Sequence, residues 1–233
     1  LFVIEGFGTI VDSQRRVGAR IVEISSNGVE LEQISEETRK TPQEPHLRLG
    51  IALIKGDRID WVIEKGVELG VHRISPLMTR RVVVKPYGNR VDHQKKRWEK
   101  IATEAAQQSE RWEIPQIDPP ISLNQFLEET AFADFKLFFW EKENPSFSFR
   151  SQIQSVLSQF SWGQGQGEGQ TRPAPKSVAL LIGPEGGWEK EEVDQARKIG
   201  YLSISLGDRP LRADTAAITA LALLQYEMGF QQT

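Results

Sequence analysis

Val178-Ala179-Leu180-Leu181-Ile182-Gly183-Pro184-Glu185-Gly186-Gly187, and after it Ser205-Leu206-Gly207-Asp208-Arg209-Pro210-Leu211-Arg212, decide how this chain folds. Each segment is an aliphatic, β-branched run that breaks into Gly/Pro chemistry, and a helical pattern follows each. Short apolar runs of this kind read as buried strands, and the Gly/Pro residues behind them force a turn. Two strand–loop–helix units therefore stand about one helix length apart. In an open α/β sheet, ligands sit in the crevice beyond the carboxyl ends of the strands. The two loops are a candidate small-molecule site.

Nucleotide-phosphate motifs do not account for them. A P-loop requires Gly, four residues and then Gly-Lys-Ser/Thr, and neither loop has it. The dinucleotide pattern G-x-G-x-x-G is also missing from both. Gly163-Gln164-Gly165-Gln166-Gly167-Glu168-Gly169 has the wrong spacing and no strand before it, so it reads as linker. Glu185 would repel a phosphate and suits a guest with positive character.

Outward from the loops, the chain divides in two. Residues 1–44 alternate short strand-like runs with turns at Gly6, Gly8, Gly18 and Asn27-Gly28, which predicts a small antiparallel β module. The chain begins at Leu1 inside a strand-like run, which suggests a fragment whose first strands are missing. Beyond the polar boundary Thr41-Pro42-Gln43-Glu44-Pro45, over residues 45–233, strands alternate with helices. Strands are predicted at 49–54, 74–77, 114–117 and 136–140. Helices are predicted at 57–69, 92–109 and 123–129. In the first helix Ile59, Val62, Ile63, Gly66 and Val67 share one face. Such alternation points to a parallel sheet covered on both sides. Residues 161–176 hold a flexible Gly/Gln/Pro linker with little to bury.

Residues 189–200 carry acids first, Arg197 and Lys198 last, and Gly200 as a stop. The last helix, about 214–228, is apolar nearly all round. One side can face the sheet, and a second subunit is the simplest cover for the other.

Composition narrows the function class. The chain has 233 residues, 39% of them hydrophobic, and no cysteine. Disulfides and thiolate metal sites are excluded. His46, His72 and His93 lack metal-ligand spacing, so no metal is expected. No run approaches a membrane span and no signal-peptide pattern is present, which points to the cytoplasm without a membrane partner. Net charge is −3, yet residues 73–111 hold ten Lys/Arg against four acids, +6, leaving −9 for the rest. A local basic stripe can bind a phosphate backbone on an acidic protein, although a solvated helix face gives the same count.

Gly183-Pro184-Glu185-Gly186-Gly187 with Leu206-Gly207-x-Arg209-x-Leu211-Arg212-x-Asp214-Thr215-Ala216 resembles the signature of the RsmE-type small-subunit rRNA uridine N3-methyltransferases, of the SPOUT class. Upstream, Lys55-Gly56-Asp57-Arg58, Lys65-Gly66-Val67-Glu68-Leu69-Gly70, Pro76-Leu77 and Glu104-Ala105-Ala106-Gln107-Gln108-Ser109, with Arg111 and Pro115, extend the likeness over most of the chain. The resemblance implies an α/β fold with a parallel sheet and a C-terminal deep trefoil knot, behind a PUA-like β-barrel remnant. It also implies an S-adenosylmethionine-dependent homodimer that modifies N3 of a uridine in 16S rRNA of the small ribosomal subunit. Ile182, Gly183, Pro184, Glu185, Gly186, Gly187, Ser205, Leu206, Gly207, Pro210, Leu211, Arg212 and Thr215 would hold the cofactor in a bent shape. Four positions depart from the family pattern. Asp214 stands where Glu is usual and Trp188 where Phe or Leu is. Arg80 and Val82 flank Arg81 where acidic and hydroxyl residues are commoner.

Methylating a uracil nitrogen asks for alignment, exclusion of water and stabilisation of the imide as its proton leaves. Arg111 is a candidate cation, with Arg81, Lys85 and Gln108 as further RNA contacts. Glu110, Glu185 and Asp214 are candidate carboxylates that the sequence does not rank. Glu185 could instead cap the next helix, and Arg212 could pair with Asp214. Trp98 and Trp112 interleave with the basic residues and could stack on splayed bases, with a core position as the alternative for Trp98. Two other functions stay open: a SPOUT relative acting on another RNA or base atom, and a non-catalytic RNA-binding module.

Overall fold

A computed structural model of the chain describes residues 2–4, 7–11, 15–38, 45–83, 89–141, 149–158, 160–161, 172–173 and 175–228. The expected linker falls largely outside these residues. Within its bounds, Arg172–Pro173 (β11) pairs in parallel with Phe160–Ser161 (β10) at its start.

The N-terminal module is an antiparallel meander of β1 (Phe2–Ile4), β2 (Phe7–Val11), β3 (Arg15–Ser25) and β4 (Gly28–Thr38), in that spatial order. The hairpin expected at Asn27-Gly28 is present. Its centre is Ser26-Asn27, because Ser25 pairs with Gly28. Strands β3 and β4 run longer than the short sequence runs suggested, with register shifts between Gly18 and Ala19 and between Ile21 and Glu23. In β3 and β4 only Ala19 is buried, and Val22, Ile24, Val29 and Ile34 are exposed.

The rest follows the predicted alternation: β5 (His46–Ala52), α1 (Arg58–Glu68), β6 (Arg73–Met78), α2 (Asn89–Gln108), β7 (Gln116–Ile117), β8 (Ile121–Ser122), α3 (Leu123–Glu129) and β9 (Phe135–Phe139). After these come α4 (Phe149–Leu157), β12 (Ser177–Ile182), α5 (Lys190–Lys198), β13 (Leu202–Ile204) and α6 (Ala213–Met228). The main sheet has the order β13-β9-β12-β5-β6-β7, with β8 also on β6, and every pairing is parallel.

Side-chain alternation explains why both faces are covered. Val178, Leu180 and Ile182 of β12 join the core shared with α1, α2, α4 and α6, while Ala179 and Leu181 join the one shared with α3 and α5. A strand buried on both sides must be apolar throughout, as this one is. Trp98 is fully buried and its Nε1 donates to Asp60 Oδ1 at 3.0 Å. It belongs to the core, which corrects the base-stacking alternative.

On the α3 side a buried ionic cluster locks the helix to the sheet. Arg48, 7% exposed, donates to Asp118 at 3.0 Å, to Glu129 at 2.6 Å and to Ser75 at 3.0 Å. Ser75 in turn donates to Asp118 at 2.6 Å, and Arg73 closes the cluster from the rim. Buried charges are tolerable only when paired and hydrogen-bonded in this way.

Strand order reverses between β5 and its neighbours β6 and β12. The carboxyl ends at such a switch point leave a crevice. A cavity lies beside that point, at the carboxyl ends of β9, β12 and β13.

Candidate functional site

Three strand ends build a cavity of about 360 Å³. Strand β9 contributes Phe139, Trp140 and Glu141, strand β12 leads into Ile182, Gly183, Pro184 and Glu185, and strand β13 leads into residues 205–211. Ala213 and Ala216 of α6 close the side. A cavity of this size, part apolar with convergent polar groups, is of the kind that holds a small molecule.

The first loop is shaped by Trp188. Its indole Nε1 donates to the Phe139 carbonyl at 2.9 Å, tying the end of β9 to the loop after β12. The ring packs against the Gly183 backbone, where a Cβ would come within 2.8 Å of Nε1. Only glycine allows that approach. The departure at Trp188 thus comes with a specific anchoring contact.

Glu185 does not cap α5. The cap is Glu189, in a reciprocal capping box with Glu192, whose second oxygen accepts from the Arg80 backbone N–H at 2.9 Å. Glu185 instead pairs with Arg58 at the mouth of the cavity. Arg81 joins the loop after β6 to the same wall, donating to Glu189 at 2.6 Å and to the Gly186 carbonyl at 2.8 Å.

The second loop is held by Ser205, whose hydroxyl accepts from the Gly207 N–H at 3.2 Å. Gly207 has φ +117°, and a Cβ built there would meet nothing within 4 Å. The space over it is open. In the first turn of α6, Asp214 keeps one buried carboxylate oxygen, Oδ1, without a partner. No ion pair joins it to Arg212 among the described residues. The buried Trp140 Nε1, in the cavity wall, likewise lacks an acceptor.

The sequence-predicted cofactor residues separate by placement. Ile182, Gly183, Pro184, Glu185, Ser205, Leu206, Gly207, Pro210 and Leu211 line the cavity. Gly186, Gly187, Arg212 and Thr215 do not. The Gly187 N–H closes the turn on Pro184 O at 2.9 Å, the Arg212 carbonyl accepts from Ala216, and Thr215 is exposed on α6.

Arg111, Glu110 and Gln108 are not brought to this site. Arg111 donates to the carbonyls of Val67 at 3.0 Å and Val71 at 2.5 Å, at the carboxyl end of α1. That position adjoins the start of β6, the opposite end of the sheet from the cavity. Glu110, with φ +52°, receives Arg16 from β3, and the Arg16 guanidinium lies 4.6 Å over the Trp112 ring. Gln108 lines a groove between α1 and α2 with Glu64, Glu68 and Glu104. Within one chain, the chemistry expected of Arg111 and Glu110 beside the two late loops has no geometric support; of the expected carboxylates Glu185 lines the cavity, and Asp214 follows the lining residue Ala213 without lining it. Lys85 lies outside the described residues.

Sequence reasoning missed Phe139, Trp140, Glu141, Asp208 and Arg209 as cavity residues. The rule that flagged the two late loops, chemistry at the carboxyl ends of buried strands, applies equally to Trp140-Glu141 after β9. Among the described residues no group of acids and histidines could hold a metal, and no helix is long and apolar enough to cross a membrane.

Comparison with known proteins gives the site a family. The RNA methyltransferase domain model matches residues 41–225. The ribosomal RNA small subunit methyltransferase E of Bacillus subtilis is 32% identical over 193 residues, 83% of this chain and 70% of that protein. Its counterpart in Synechocystis sp. is 35% identical over 75% of this chain, which spans 51% of that protein. Among solved structures, the Neisseria gonorrhoeae ribosomal RNA small subunit methyltransferase E bound to S-adenosyl methionine superposes with a TM-score of 0.74 at 26% identity. It covers 94% of this chain and 82% of its own. A Legionella pneumophila protein described as a methyltransferase, solved with its bound cofactor SAM, gives 0.73 at 31% identity over the same shares. With a cavity at the strand ends and these likenesses over most of its length, the chain belongs to the RNA methyltransferase domain family, and within it to the ribosomal RNA small subunit methyltransferase E group.

Proposed function

We propose that the protein is an S-adenosylmethionine-dependent methyltransferase of 16S rRNA that modifies N3 of a uridine in the small ribosomal subunit. The observation that carries this reading is the cavity between the loops after β12 and β13, in a fold shared with relatives solved holding that cofactor.

The residues present fit the cofactor. The cavity presents three carboxylates, Glu141, Glu185 and Asp208, against the Arg209 guanidinium and the Arg58 guanidinium paired with Glu185, and the net negative balance suits a cationic sulfonium. The loop backbones around Gly183 and Gly207 offer further polar groups. Bound S-adenosylmethionine supplies a methyl group already activated as an electrophile. The chain's residues then have to align the base, exclude water and manage one proton. Asp214, next to the lining residue Ala213 and with one unpartnered carboxylate oxygen, would take the imide proton from N3 as the methyl group passes to it. Arg81 and the basic stripe of α2 would contact the RNA backbone.

The path of the chain supports a trefoil knot: β13 lies on the far edge beyond β9, and α6 then returns to pack against α1. A homodimer through the outer face of α6 is part of the same reading.

Transfer of labelled methyl groups to small ribosomal subunits, against naked 16S rRNA and tRNA, tests the proposal. Mass spectrometry of the product nucleoside reads the modified atom. Methylation at uridine N3 in the small subunit is expected; transfer to tRNA or another atom favours a relative of different specificity. Cofactor binding without transfer to any RNA would indicate a non-catalytic module, which both intact loops argue against.

A further inference from the structure

A second pocket, of about 350 Å³, opens at the carboxyl ends of β6 and β8, on the other side of the wall that Arg81 forms with Gly186 and Glu189. Met78, Thr79, Ser122, Leu123, Asn124 and Gln195 give it its chemistry. Thr79 is 5% exposed, yet its hydroxyl has no hydrogen-bond partner. A buried hydroxyl left unmatched is costly and calls for an explanation. Nor does the Asn124 or Gln195 carboxamide bond to any described residue.

The charge balance selects the class of ligand. Arg80 on the rim is already paired with Glu191 at 3.0 Å. Both oxygens of Glu192 are engaged, accepting from the backbone N–H groups of Arg80 and Glu189. Among the described residues lining the pocket no unpaired cation is left for a phosphate, and the carboxylates of Glu191 and Glu192 stand nearby. What remains is neutral: two carboxamides, two hydroxyls and the apolar faces of Met78 and Leu123. Carboxamides matched to base edges, with an apolar surface against the flat ring, are how proteins read splayed-out RNA bases. Consecutive residues tie the pocket to the methyl-donor cavity, Arg80 facing one and Arg81 buttressing the loop of the other.

We propose that the pocket walled by Thr79, Asn124 and Gln195 is a nucleobase subsite, holding an RNA base that flanks the methylated nucleotide. The subsite rests on the RNA-methylation reading for its ligand and assigns these residues to substrate selection, apart from cofactor binding.

Two variants of the whole protein test it: Asn124→Ala with Gln195→Ala, and Thr79→Val. The double variant is expected to raise the KM for small subunits and the Kd for labelled 16S rRNA about tenfold, as loss of roughly two hydrogen bonds would. Its kcat and S-adenosylmethionine affinity stay within about twofold. Thr79→Val removes the unmatched hydroxyl, so its melting temperature holds or rises while RNA affinity falls; a merely structural Thr79 would not separate the two. Unchanged 16S rRNA affinity in both variants overturns the proposal. So does weaker binding to assembled subunits alone, which would assign the pocket to a ribosomal protein. If the wild type methylates no RNA, the functional reading fails on that result, and the 16S rRNA affinities still decide the pocket.

Discussion

Gly207 sits at φ +117° with open space where a Cβ would go, and that space belongs to the cavity. A β-branched side chain there suffers both ways: it is strained by about 1–3 kcal/mol at this φ, and it projects where the ligand must lie. Gly207→Val is therefore expected to weaken S-adenosylmethionine binding at least tenfold in calorimetry while the chain still folds. Normal affinity would refute the role given to the second loop. Trp188 allows a complementary test on the first loop. Trp188→Phe keeps an aromatic ring but removes the indole N–H that donates to the Phe139 carbonyl at 2.9 Å. Loss of a buried hydrogen bond costs about 0.5–1.5 kcal/mol. A drop of that size in urea-denaturation stability, with cofactor binding weakened as the loop loosens, is the expected result.

At the scale of elements, α3 is held by charge as much as by Phe126 and Leu127. Hydrogen bonding to Arg48, and then to Gln125, holds the Glu129 carboxyl below its ordinary value of 4.5. Glu129 binds its proton less readily folded than unfolded, so its contribution is complete above pH 4.5 and fades as pH falls through the lower folded value. Glu129→Gln should be less stable than wild type at neutral pH. The gap in urea midpoint should narrow steadily below about pH 4.5. A gap independent of pH would remove Glu129 from the cluster's electrostatics. The cluster was invisible in the sequence because Arg48, Asp118 and Glu129 lie far apart in the chain and meet only through sheet register. Helix α1 shows the opposite case: the five residues read as its inner face, Ile59, Val62, Ile63, Gly66 and Val67, are the ones buried. Local periodicity carries that information, and local turn chemistry marked the two loops that line the cavity. Arg111 shows where locality ends. Its charge and neighbourhood suggested substrate contact, but the chain turns it onto the carbonyls of α1, a partner no local pattern announces.

For the whole molecule, the open question is what covers α6. Ala217, Ala220, Leu221 and Leu224 are buried against the rest of the fold, and Met228 ends the same face. The opposite side carries Leu223, 36% exposed, and Tyr226, 67% exposed. Ordinary surface helices turn a charged stripe outward; between 213 and 228 this one carries only Asp214 and Glu227 as charged residues. An aromatic and an aliphatic side chain on a nearly uncharged helix form the kind of centre on which an obligate interface is built. If a second copy of the chain covers this face, charge placed at its middle must be desolvated on association, and Leu223→Asp combined with Tyr226→Asp should shift sedimentation from dimer to monomer. The inner face and its core contacts are untouched, so each monomer should retain its helical circular dichroism and its cofactor cavity. Wild-type protein sedimenting as a monomer at micromolar concentration would exclude the interface outright. A dimer indifferent to both substitutions would move it elsewhere on the molecule, leaving the apolar side of α6 to another partner.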